Sequence, residues 1–285
     1  MNNKQQKVLA CIDDSKLSEA VSDYAAWIAQ RVDAPLKLLN IINHHHETAA
    51  SSDLSGNLGI DGRDHLLEEI AEQEQQEGKV RIKQGKALLQ AAKERVIKGG
   101  VTEPETCLQH GTLIDALVEF EDDIRVMVIG ARGKDHEGQS DQIGSKLQSV
   151  IRSLHRPILV AYEGFKAPDQ IMIAYDGSEG SDKAIDIVAN SPLYKGLKCH
   201  LVYVGSNNGR LDKAADKLRT AGGIEIISVY LDGKADEKLC AYQLENQIDM
   251  TIMGAFSHTR IHDLILGSFT VKMLLNTNTP LLLLR

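Results

Sequence analysis

Two short glycine- and serine-containing segments, one in each half of the chain, have residue types suited to binding a charged small molecule. In each, an apolar stretch runs into a glycine, Gly130 or Gly254, and a Gly-Ser pair follows, at 144–145 and 267–268. Glycine lets the backbone approach a ligand closely, and a Gly-Ser helix start presents free N–H groups, a hydroxyl and a positive dipole end. The pattern predicts an anion site, although each copy alone is as typical of a structural turn.

An aspartate follows the first apolar stretch of each half. Asp13 directly follows the segment Lys7–Ile12, and Asp176 directly follows the corresponding segment Gln170–Tyr175. Each aspartate belongs to an Asp-x-Ser sequence that precedes a helical pattern. Two interpretations remain open: the carboxylates face a ligand, or Asp and Ser at the strand end cap the following helices.

The elements that must position these residues occur twice, in the same order. Each half has an apolar strand ending in Asp-x-Ser, a helix, a second strand, a strand running into glycine, the Gly-Ser helix start and a Pro-led closing strand. Alternating strands and helices indicate βαβ units and a parallel sheet, whose ligands bind at the carboxyl ends of the strands. We therefore predict an α/β fold with two domains, 1–163 and 168–285, joined by a short polar segment. The predicted strands after the first pair are 36–42, 199–204, 126–130, 250–254, 157–160 and 280–284.

The first half is longer than the second by about 39 residues, since 163 residues separate Asp13 from Asp176 but 124 separate Gly130 from Gly254. We assign the excess to a polar surface loop at 43–64 and a long solvated helix over about 64–98.

Composition excludes several function classes. A net charge of -8 with no basic block argues against nucleic-acid binding. The polar start of the chain and a first apolar run of only five residues, 8–12, predict no signal peptide or membrane span and hence a cytoplasmic protein. Four widely separated cysteines, Cys11, Cys107, Cys199 and Cys240, are typical of reduced thiols, not of a zinc or redox motif.

The chain resembles a tandem universal stress protein, of the UspA family, on two stretches. These are Val126–Val160, with Gly-Ala-Arg-Gly at 130–133 and His-Arg-Pro-Ile-Leu-Val at 155–160, and the region from Gly254-Ala-Phe-Ser-His to Leu284. The resemblance implies two doubly wound, Rossmann-like (adenine nucleotide α-hydrolase-like) domains, each with a mainly parallel five-stranded sheet. The ATP-binding members have Gly-x2-Gly-x9-Gly-Ser/Thr. Here ten residues separate Gly133 from Gly144, and Ser257 stands where the second glycine would be in the other copy.

The resemblance also implies which positions meet the ligand, an adenine nucleotide such as ATP, with or without Mg²⁺. In the second half, Asp176 would lie near the adenosine and the backbone of Val204, in the second strand, would contact the adenine. The remaining positions would contact phosphate: Gly254, Ser257, Gly267, Ser268 and Thr270. Their counterparts in the first half are Asp13, Ile41, Gly130, Gly133, Gly144 and Ser145.

Loop charge favours the second half for binding. The loop at 134–143 carries three carboxylates against one lysine, whereas the loop at 258–266 carries His258, Arg260 and His262 against one carboxylate. A polyphosphate is attracted to the second and repelled by the first.

Three functions follow as alternatives. The leading one is a regulatory protein that binds or senses an adenine nucleotide and acts through assembly or partner affinity. The second is an interaction scaffold with decayed sites. The third is a slow hydrolase or phosphotransferase that uses His258 and His262; with no nucleophile elbow or Walker A sequence present, we expect no enzyme.

Two further expectations concern packing and metals. The resemblance implies an intrachain pseudo-dimer through the closing strands 157–160 and 280–284, and a homodimer of whole chains. Tyr24 and Trp27 share a helix face with other apolar residues and are expected in the core. The His44-His45-His46 run, with His65 further on, lies in a polar region and predicts no metal site.

Overall fold

A computed structural model describes residues 5–42, 60–133, 143–207, 209–254 and 267–284, with side chains of 60–71 excluded. Each half alternates strands with helices along the chain. The first contains β1 Lys7–Cys11, α1 Ser18–Arg31, β2 Leu36–Ile42, α2 Ile60–Lys98, β3 Glu105–His110, α3 Leu113–Phe120, β4 Ile124–Gly130, α4 Ser145–Ser153 and β5 Ile158–Ala161. The second contains β6 Gln170–Tyr175, α5 Glu179–Asn190, β7 Lys198–Val204, α6 Arg210–Ala221, β8 Glu225–Leu231, α7 Ala235–Glu245, β9 Met250–Gly254, α8 Ser268–Asn276 and β10 Leu281–Leu284.

The ten strands form one sheet in the order β3-β2-β1-β4-β5-β10-β9-β6-β7-β8. Within each half all pairs are parallel, which confirms the predicted doubly wound α/β fold with five strands in each copy. The halves meet where β5 and β10 pair antiparallel, with Leu281 opposite Val160 and Leu283 opposite Ile158. The closing strands therefore join the two copies, as predicted. Because β5 ends at Ala161 and β6 begins at Gln170, the segment between the halves spans the predicted polar boundary, whose position stays a prediction.

Helices cover both faces of the sheet because each places an apolar stripe against it. In α1 the predicted stripe is buried, and Tyr24 is 3% exposed with Trp27 packed beside it, which confirms their assignment to the core. Helix α2 approaches strands β2 and β3 closely at Gly85, where a Cβ would lie 2.7 Å from side-chain atoms of Asn40 and Leu108. Only glycine fits there without a shift of these neighbours.

Four details differ from the sequence-based expectations or extend them. The α1 N-cap is Leu17, with no side-chain cap, so an aspartate or serine cap is wrong for this helix; Ser178 does cap α5, through the N–H of Ser181. The long helix begins at Ile60, four residues before the predicted loop ends. The sequence analysis did not identify the edge strands β3 and β8, which are only partly buried. All four cysteines are free thiols.

The segment between the halves is held by a buried carboxylate. Asp249, whose side chain is 6% exposed, accepts hydrogen bonds from Lys166 Nζ at 2.5 Å and from the backbone N–H groups of Asp169 and Gln170 at 2.9 and 3.0 Å. On the same junction the Tyr162 hydroxyl donates to a carbonyl in α8 at 2.6 Å. None of the described helices combines the length and apolar character needed to cross a membrane.

Candidate functional site

The main cavity of the first half lies at the carboxyl ends of β1, β2 and β4. The strand order changes direction between β1 and β4, so the cavity lies at the topological switch point of this half. It measures about 460 Å³, within the usual range for small-molecule pockets of about 300–1,000 Å³. All six residues that the sequence analysis assigned to this half line it: Asp13, Ile41, Gly130, Gly133, Gly144 and Ser145. The fold thus brings together positions that are up to 132 residues apart in the chain.

Asp13 uses one carboxylate oxygen to build its own turn and leaves the other toward the cavity. Its Oδ1 accepts hydrogen bonds from the Ser15 N–H at 3.0 Å and the Ser15 hydroxyl at 2.5 Å, and the Ser18 hydroxyl, which donates to the Asp13 carbonyl at 2.6 Å, lies 3.0 Å from the same oxygen. Its Oδ2 lies 3.4 Å from the position that a Cβ on Gly133 would occupy. Asp13 therefore does not cap α1 but fixes the β1–α1 turn, and it also presents an oxygen to the cavity.

The glycines around the cavity are required for different reasons. A Cβ on Gly130 would lie 3.0 Å from the Leu17 Cβ, so this glycine lets the start of α1 pack on β4. Gly144 has φ -55° and ψ 134°, which any residue adopts, and a Cβ there would make only ordinary contacts of 3.6–3.7 Å with the backbone of 131–133. Neither backbone conformation nor packing against the described residues explains Gly144, whereas the close approach of a ligand would.

The start of α4 supplies the positive side of the cavity. The first backbone N–H groups of any helix lack an intrahelical acceptor, and among the described residues no side chain caps this helix, whose N-cap is Gly144. Ser145, Lys146 and Ser149 line the cavity at this end, and the lysine is exposed. Helix dipole, hydroxyl and ammonium together favour a bound anion.

The opposite wall comes from the β3–α3 connection, which the sequence analysis did not consider. Gly111 has φ +116°, in the region that favours glycine, and Thr112 caps α3 by accepting the Asp115 N–H at 3.2 Å. These residues line the cavity with Leu113 and Ile114. Glycine followed by a capping threonine is a readable signal for such a turn. Lys146 was also missed, although it directly follows the Gly-Ser pair.

Cys11 lies on the floor of the cavity but is a poor nucleophile. Burial, together with the negative charge of the neighbouring Asp13, raises the pKa of its thiol well above the ordinary value. The thiolate is the reactive form of cysteine, so Cys11 is in its unreactive form at neutral pH. Its place beside Leu39 and Ile129 makes it part of the apolar floor.

The corresponding cavity of the second half is smaller, about 110 Å³. Five of the seven predicted residues line it: Asp176, Val204, Gly254, Gly267 and Thr270. Ser268 is exposed and does not line it, and Ser257 lies outside the described residues. Phe269 takes the position that Lys146 has in the first half, so an aromatic ring replaces an ammonium group at the helix start.

Several predictions fall outside the described residues. They concern the loop histidines and arginine at 258–262, the carboxylates at 135, 137 and 141, and the histidines at 44–46; the side chain of His65 is also not described. Among the described residues, no group of three His, Cys, Asp or Glu side chains is placed to hold a metal ion. The loop-charge argument for the second half is therefore untested.

Comparison with known proteins connects this geometry to a family. The profile of the universal stress protein family matches residues 5–161 and 206–285. A universal stress protein of Synechocystis sp. is 30% identical over 286 residues, covering 98% of this chain and all of that protein. Among solved structures, a universal stress protein from Archaeoglobus fulgidus has a TM-score of 0.70 at 19% identity, with 98% of both chains covered. A functionally unknown protein from Pseudomonas aeruginosa has a TM-score of 0.58 at 14% identity, covering 98% of this chain and 92% of that one. The two solved structures share the fold, and the family profile and the full-length relative show that the chain belongs to the universal stress protein family.

Proposed function

We propose that this universal stress protein binds an adenine nucleotide in its first half and transmits binding through assembly or partner affinity. The observation that carries the proposal is the first-half cavity, about 460 Å³, with an apolar floor at one end and an uncapped helix start at the other. A nucleotide has the same division, with an aromatic base joined through a ribose to phosphates. The cavity therefore fits the ligand class in size and in polarity.

The apolar end suits the base and the ribose. Ile12, Leu39 and Ile129 form the floor, and Ile41 lies two residues beyond the last residue of β2 that pairs with β1. The sheet opens at this point, which leaves β2 backbone beside the cavity. Asp13 Oδ2 supplies an acceptor for a ribose hydroxyl, since its other oxygen is occupied within the β1–α1 turn.

The α4 end suits the phosphates. The free N–H groups after Gly144 donate to phosphate oxygens without needing a side chain, and Lys146 adds a positive charge at the same edge. Any Mg²⁺ would be bound chiefly by phosphate and water, since Asp13 is the only described carboxylate that lines this cavity.

The second half is better suited to a structural role in the described geometry. Its cavity of about 110 Å³ is below the usual range for small-molecule sites, and Phe269 occupies the position of the cationic residue. The sequence pattern favours this half, whereas volume and helix-start charge favour the other. This observation supports a limited form of the scaffold alternative, in which the second half contributes surface and stability but no ligand.

Binding without turnover agrees with the chemistry of the described lining residues. The thiol of Cys11 is held in its protonated form, and no histidine is among the described residues that line the first-half cavity. A nucleotide there would act by shifting the populations of conformations or assemblies. The hydrolase alternative depends on His258 and His262, which lie outside the described residues.

Calorimetric titration with ATP on a matched pair of variants tests the proposal. Gly144→Asp and Gly267→Asp place the same carboxylate at equivalent helix starts, at positions with φ of -55° and -58° that accept any residue. We expect the first variant to lose at least about tenfold in affinity, since a like charge within a few ångströms costs more than about 1.4 kcal/mol in a partly buried site. The second variant should bind like the parent. Equal loss in both, loss only in Gly267→Asp, or no binding by the parent at millimolar ATP would overturn the proposal.

A further inference from the structure

Helix α2 extends far beyond the sheet that it covers. Gly85 lies against Asn40 and Leu108, each two residues before the end of its strand, so the helix has reached the carboxyl edge of the sheet at this point. The preceding residues, 60–84, span about 37 Å at 1.5 Å per residue, and most of this length lies past that edge. We call residues 72–84, whose side chains are described, the α2 arm. It projects from the same edge at which the first-half cavity opens.

The described side chains of the arm are predominantly exposed. Residues 72–77, 79–80 and 83–84 are exposed, and Val80 is one of the few large apolar side chains in the described part of the chain with more than half its surface in solvent. A helix that is polar on all sides gains little from tertiary packing and usually bridges to another body or depends on ion pairs along its length. One such pair is present, Arg81 with Glu77 at 3.0 Å. An exposed pair of this kind contributes only about 0.3–0.5 kcal/mol.

Charge along the arm is divided at a single residue. Glu72, Glu74 and Glu77 precede Gly78, and Lys79, Arg81 and Lys83 follow it. A helix with this arrangement is complementary to an antiparallel copy of itself, because a two-fold axis at the centre sets each acidic half beside a basic half. No external partner is needed to match the charge pattern.

Gly78 lies at the point where such an axis would pass. Among the described residues, nothing comes within 4 Å of a Cβ built on it, so packing within the chain does not require glycine there. A glycine inside an exposed helix costs about 1 kcal/mol relative to alanine. It also permits the closest approach of a second helix. It lies seven residues before Gly85, on the same side of α2, so the arm presents a small residue where the body of the protein has ended.

We propose that the α2 arm is an association surface for a second copy of this chain, with two arms packed antiparallel about Gly78. Glu72, Glu74 and Glu77 of one copy then lie beside the 79–83 segment of the other. This contact is separate from the closing strands β5 and β10, which are already paired within the chain. It is also independent of whether a nucleotide binds, although both features lie at one edge of the sheet.

Complementary charge reversal in the full-length chain tests the proposal by sedimentation velocity. The all-acidic arm carries Lys79→Glu, Arg81→Glu and Lys83→Glu, and the all-basic arm carries Glu72→Lys, Glu74→Lys and Glu77→Lys. We expect the parent to dimerise and each variant alone to associate at least tenfold more weakly. An equimolar mixture of the two variants should regain the dimer, and 0.5 M salt should dissociate it. A monomeric parent, unchanged association of both variants, or a mixture that stays dissociated would overturn the proposal.

A variant at the crossing point separates association from helix stability. Gly78→Leu introduces a better helix former at a position where no described atom of the chain is crowded. The helical circular dichroism signal should stay equal or increase while the dimer weakens at least tenfold. Gly78→Leu with parental association would refute the antiparallel crossing at this residue.

Discussion

Replacing Asp249 by asparagine tests how the segment between the two halves is held. The carboxylate accepts three hydrogen bonds while its side chain is 6% exposed. Burial alone would raise the pKa of Asp249, but the hydrogen bonds from Lys166, Gln170 and Asp169 outweigh it and hold the pKa below its ordinary value. Asparagine has the same shape and one carbonyl oxygen, so it replaces the charge-assisted bonds from the two backbone donors by weaker neutral ones and also loses the bond to lysine.

The expected cost follows from these contacts. Hydrogen bonds to a charged group contribute about 1.5–3 kcal/mol, and neutral ones about 0.5–1.5 kcal/mol. We therefore expect Asp249→Asn to lower the free energy of unfolding by about 1–2 kcal/mol at pH 7, measured by urea denaturation. Lys166→Met is the matched control. Since its side chain is 67% exposed, removing the lysine should cost less than about 1 kcal/mol.

The pH dependence of the stability of the same variant tests the direction in which the pKa of Asp249 is shifted. A carboxyl whose pKa is depressed in the folded state contributes its stability above the unfolded pKa of about 3.9 and loses it as the pH falls through the folded pKa. The gap between the parent and Asp249→Asn should thus be full at pH 7 and shrink below about pH 4. An equal gap at both pH values, or a Lys166→Met cost as large as that of Asp249→Asn, would refute the reasoning.

Three further predictions concern the cavity, the long helix and the junction. Lys146→Met should weaken ATP binding several-fold but leave adenosine binding unchanged in calorimetry, because the ammonium lies at the phosphate end; equal losses would remove that role. Gly85→Val should lower the free energy of unfolding by about 1–3 kcal/mol in urea, since a Cβ would lie 2.7 Å from the Asn40 side chain; a neutral effect would show that α2 can shift. Tyr162→Phe should cost about 1 kcal/mol in the same assay through the lost bond to the Leu274 carbonyl, and a stability equal to the parent's would show that this bond contributes nothing.

Much of the fold could be read from the sequence because the chain repeats its plan. Strands 36–42 and 250–254 were predicted at their observed bounds, and the Pro-led closing strands do join the halves. The edge strands β3 and β8 were missed, because β3 has few apolar residues and neither strand was matched by a repeated motif. Edge strands have one neighbour and are only partly buried, so their composition is less constrained by the core.

The site was predicted less completely. The family resemblance assigned Asp13, Ile41 and Gly144 to one site, and all three line one cavity although they belong to different elements. The choice between the two halves as the binding site depends on cavity volume, which the spacing of motif residues does not determine. At equivalent helix starts the first half has Lys146 and the second has Phe269, which differ in charge and in side-chain volume. The effect of this difference on cavity volume depends on how the surrounding helices pack.

The most direct test of the central claim is a crystal structure of the full chain grown with ATP. The account predicts nucleotide density in the first-half cavity, with the base beside Ile41, a ribose hydroxyl on Asp13 and the phosphates at the N–H groups that follow Gly144. Nucleotide bound only in the second half, at the helix start after Gly267, or on a surface away from both cavities would contradict it.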